Sequence, residues 1–125
     1  MASVDDDRFR DPGTQYEHEE PVAFAAIKRE ASIDWSDRAH SPDDTLWIPE
    51  SLFQELAART RLGEINVYEQ ARLDRRECQA LCEELTTLEA GATDADVRLA
   101  ATLVLERART VAQLPDGYVL LIEGP

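Results

Sequence analysis

Between Leu73 and Gly91 apolar side chains recur at helical spacing. Cys78, Leu81, Cys82, Leu85 and Leu88 follow one another at steps of one to four residues that keep them on one face. Arg75, Arg76, Glu83, Glu84 and Glu89 fall elsewhere on the wheel. Asp74, with Glu77 three residues on, has the form of a capping box. Gly91 is placed to end the helix in a left-handed turn. A second stripe runs through 94–113: Val97, Ala100, Ala101, Val104, Ala108 and Val111, widened by Leu99, Leu103 and Leu105. A stripe that broad predicts burial on more than one side. Its alanines would let a neighbouring helix come close. Thr93 is expected to cap it, with Asp96 at the third position.

The remaining apolar runs read as strands. Tyr118–Glu123 is nearly all apolar, which suits a central strand. Leu114-Pro115-Asp116-Gly117 before it has turn chemistry. Glu64–Leu73 carries Ile65, Val67 and Tyr68 and predicts a strand leading straight into the Asp74 helix. Leu46–Ile48 predicts a short extended segment. Pro49 suits a first helical position there, and Leu52, Phe53, Leu56 and Ala57 give a stripe through Thr60, ended at Gly63. Residues 21–35 fit either period. Phe24, Ile27, Ala31 and Trp35 lie near one helical face, while Val22, Phe24 and Ala26 alternate as in a strand. The alternation of later strands and helices favours a strand over 22–29. The resulting order predicts an α+β (or α/β) domain, with a small sheet of about three strands against two or three helices. A mostly α domain is the alternative if residues 21–35 are helical.

Residues 1–20 form an acidic segment with little to bury, expected as a disordered tail before one globular domain over 21–125. Residues 34–45 cluster Asp, Ser and Pro and predict a loop. The chain carries 26 acidic against 13 basic side chains, a formal charge of −13. Such a field repels nucleic acid and anionic membranes and attracts basic partners. No apolar run approaches the ~20 residues of a membrane span. The start MASVDDDRFR lacks the features of an export signal, so a cytoplasmic location is expected. Arg outnumbers Lys 12 to 1 among many alanines, a bias that points to a GC-rich bacterial genome.

Candidate chemistry is sparse. Cys78 and Cys82 are one helical turn apart, but zinc would need two further ligands, and His18 and His40 show no paired spacing. Both thiols lie within the leucine stripe, where cysteine acts as a small hydrophobe. The five glycines gather into no phosphate-binding loop, and no nucleophile elbow is present. The expectation is a protein without catalytic, cofactor-binding or metal-binding residues.

The segment around the two tryptophans differs. Asp34, Asp37, Asp43 and Asp44 surround Trp35 and Trp47. Tryptophan is common at interface hot spots, and acidic neighbours steer a basic partner. Trp47, between Leu46 and Ile48, reads as core. Asp34, Trp35, Asp37, Asp43 and Asp44 are the predicted partner-binding residues. In size, charge and the strand-then-LDRRE-helix layout around Leu73–Leu88, the chain resembles the small acidic immunity proteins of bacterial toxin systems. The resemblance is one of general character and assigns no residue a role. It implies an inhibitor that covers a basic surface of a toxin-like partner. The second expectation is an assembly module that forms a homodimer, or docks on an enzyme complex, through the Leu52–Leu56 or Val97–Val111 stripe.

Overall fold

The computed structural model describes residues 21–28, 45–65, 70–114 and 117–123. The ambiguous first segment is a strand, β1 (Pro21–Lys28). Then come β2 (Leu46–Pro49), α1 (Glu50–Ala57), a 3₁₀ turn (Arg61–Glu64), β3 (Gln70–Leu73), α2 (Arg75–Gly91), α3 (Ala95–Gln113) and β4 (Tyr118–Glu123). The strands form one sheet in the order β2-β1-β4-β3, and all its pairings are antiparallel. With three helices against it, the protein is α+β. The sheet has four strands where about three were expected, because Leu46–Pro49 pairs in full with β1. The expected tail over 1–20 and loop over 34–44 lie outside the described residues.

Two-residue periodicity explains why 21–28 is a strand. Val22 and Phe24 turn to one face and join the core formed with the helices, while Ala25 and Ile27 turn to the other. Both sets are buried, a demand that only a strand inside a sheet meets. β4 lies between β1 and β3, and its middle residues Val119, Leu120, Leu121 and Ile122 are all buried. Its near-continuous apolar run has the cause expected of a central strand.

The helices share one side of the sheet. Leu46, Ile48, Val22, Phe24, Leu120, Ile122 and Leu73 meet Phe53, Leu56, Leu81, Leu85, Ala100, Val104 and Val111 in one core. Phe24 and Phe53 stack at a 38° tilt with ring centroids 6.1 Å apart, joining β1 to α1. α2 and α3 form an antiparallel pair, fixed along its length by Arg75 Nε donating to Ala112 O (3.2 Å) and Thr102 Oγ1 donating to Glu89 Oε2 (2.5 Å). α3 is the middle helix, touching β1, β2, β4, α1 and α2. That position accounts for its broad stripe: Leu103 and Leu105 are buried along with Ala100, Ala101, Val104, Ala108 and Val111.

Several local details depart from expectation. Pro49 ends β2 and caps α1 rather than opening the helix. α1 stops at Ala57, not Thr60. Thr60 instead caps the 3₁₀ turn, its Oγ1 accepting from Leu62 N at 3.1 Å and donating to Leu56 O at 3.0 Å. That turn takes Glu64 out of the expected strand; Gln70–Leu73 is strand, and residues 66–69 lie outside those described. Gly91 is the last helical residue of α2 and not a left-handed stop; Gly117 (φ 118°) is the one residue with positive φ among those described. Asp94, not Thr93, caps α3, because its carboxylate accepts from both Asp96 N (2.8 Å) and Val97 N (3.3 Å).

Candidate functional site

The predicted partner-binding residues Asp34, Trp35, Asp37, Asp43 and Asp44 all lie outside the described residues. Their neighbour Trp47 is in β2, opposite Ala23 on β1, and only 5% exposed. Trp47 is thus a core residue, as its position between Leu46 and Ile48 suggests.

The cysteines are where the stripe puts them. Cys78 is fully buried and donates to Leu73 O at 3.7 Å. Burial, with the nearby Cys82 adding to it, pushes the Cys78 thiol up to about 12, only partly offset by a backbone hydrogen bond from Leu120. Cys82 is half-buried; burial raises its pKa too, against the pull of Arg109. A nucleophilic cysteine needs the opposite shift. Both thiols are unbridged. Among the described residues no group of three His, Cys, Asp or Glu side chains converges as a metal ion would require.

One cleft lies where the end of α1 meets the α2–α3 corner. It holds about 230 Å³ and is lined by Glu55, Arg59, Leu88, Val97, Asp94 and the backbone around Gly91 to Thr93. Two larger and more open hollows, each of about 430 Å³, adjoin it past Arg59 towards Thr87 and Glu84. Arg61 stands at that end in an ion pair with Glu84, Nε to Oε1 at 3.0 Å, and the Arg61 N–H donates to the same oxygen at 3.1 Å. Glu84 thereby ties the 3₁₀ turn to α2. At the other end Arg98 Nη2 donates to Ala92 O at 2.5 Å and closes the corner. Carboxylates and guanidinium groups alternate along this surface, so it carries no single sign of charge. Its polar groups serve to join helices.

One charged residue had no signal in the pattern. Arg107 on α3 is 8% exposed, with Nη1 3.7 Å from Glu106 Oε2. In sequence it reads as one of several arginines on a polar flank. Only the central position of α3, walled on several sides, buries it.

The acidic surplus is unevenly distributed. The described residues hold 12 acidic and 9 basic side chains; the rest of the chain holds 14 and 4. The described residues thus carry a formal −3 of the total −13, and the other residues carry −10.

No family model matches the chain, and no match is found among curated proteins or solved structures. Among the described residues no helix is long and apolar enough to cross a membrane.

Proposed function

We propose that this protein is a non-catalytic binding domain of the immunity type, acting in a bacterial cytoplasm by covering a basic surface of a partner protein. The observation that carries the reading is the acidic surplus: the described residues are nearly balanced at −3, and the other residues hold −10 of the −13. A solubility role needs only a dispersed excess of one sign. Residues 29–44, around Trp35, hold five carboxylates against two arginines, and Asp34, Asp37, Asp43 and Asp44 among them suit recognition of a cationic patch, where carboxylates steer the encounter and an aromatic side chain supplies affinity. The helix stripes that motivated a dimerising module are mostly consumed inside the chain, since Phe53, Leu56, Ala100, Val104 and Val111 are all at most 1% exposed, while Leu52 and Val97 are half-buried against the same core. That alternative draws no support from them.

The test is affinity capture from the native host at low salt, followed by a salt gradient. The reading expects a basic protein in stoichiometric amount that elutes as salt rises, and that is no longer captured by a variant with Asp34, Asp37, Asp43 and Asp44 all changed to Asn. Capture of a neutral or acidic complex that survives high salt would overturn it, as would undiminished capture by the four-Asn variant.

A further inference from the structure

We draw no further inference here: the strongest candidate, the buried apolar cluster of Ala25, Ile27, Val119 and Leu121 on the face of the sheet turned away from the helices, carries nothing, because nothing in the described residues shows what covers it.

Discussion

Two glycines of this chain answer to opposite physics. At Gly63 an added Cβ would sit 2.5 Å from the carbonyl oxygen of Ala57, a backbone atom that cannot swing aside. The 3₁₀ turn folds back on the end of α1 too closely for any side chain there. Gly91 has open space around it and lies in the last turn of α2 with an ordinary helical backbone. Gly63→Ala should therefore lower stability by about 1–3 kcal/mol through forced displacement. Gly91→Ala should raise it by about 0.5–1 kcal/mol, because alanine loses less freedom on entering a helix. Chemical denaturation of the two variants checks both signs. A loss in Gly91→Ala would show that the corner needs glycine after all. Cys78 supplies a pH dependence. Its thiol, near 9.0 when unfolded, is pushed up to about 12 by burial in the fold. Between those values the folded chain keeps a proton that the unfolded chain has released, so stability falls as pH rises through this window, by up to about 1.4 kcal/mol per pH unit. Comparing wild type with Cys78→Ala from pH 8 to 11 isolates the effect, since other alkaline groups are common to both. The wild type should lose more, and parallel curves would contradict the burial of this thiol.

At the scale of elements, legibility followed how local the determining interaction is. The α2 start was readable because its signal spans four residues. Asp74 Oδ1 accepts from Glu77 N at 2.8 Å, and Glu77 Oε1 accepts from Asp74 N at 3.3 Å. β4 was readable as central because burial on both faces removes polar residues from the sequence itself. The end of α2 was not, since Gly91 offers a left-handed stop that the chain does not take. Ala92 turns extended instead, and its carbonyl is satisfied by Arg98 from the next helix. Thr93 and Asp94 are adjacent candidates for one cap, and the choice rests on geometry no spacing rule encodes. The first residue of the expected Glu64–Leu73 strand went to the 3₁₀ turn for a similar reason: Thr60 and the close approach at Gly63 act from outside that segment. The candidate interface residues, Asp34 to Asp44, stand out in the sequence by composition alone, because recognition has no period, and they lie outside the described residues. Reciprocity at the α2 cap gives a test at this scale. Asp74→Ala and Glu77→Ala should each destabilise, the first by about 1 kcal/mol. The double variant should lose less than the sum, as the two bonds form one unit. Strict additivity in a double-mutant cycle would mean that the box contributes as two independent contacts.

For the whole molecule, the location of charge matters more than its total. A chain of −13 spread evenly over a folded surface would repel itself, and salt would stabilise it markedly. Here the described residues hold 12 acidic and 9 basic groups, and contacts such as Arg61 with Glu84 neutralise some of these locally. The other residues hold 14 acidic and 4 basic groups, so most of the surplus is theirs. The same charges, facing a cationic partner, would act in concert over roughly a Debye length, about 10 Å at 0.1 M salt. Folding and binding should thus respond to salt in opposite directions and to different degrees. Between 20 and 500 mM NaCl, the melting temperature should rise by only a few degrees, of the order that 1 kcal/mol produces in a domain of this size. Affinity for the basic partner should fall by an order of magnitude or more over the same range. Thermal unfolding monitored by circular dichroism measures the first, and titration calorimetry with the captured partner the second. A rise in melting temperature well beyond about 10 °C would mean that the acidic segments press their charge on the folded framework. In that case an acidic surplus held apart for recognition would no longer describe this chain, because its first effect would be on the chain's own stability.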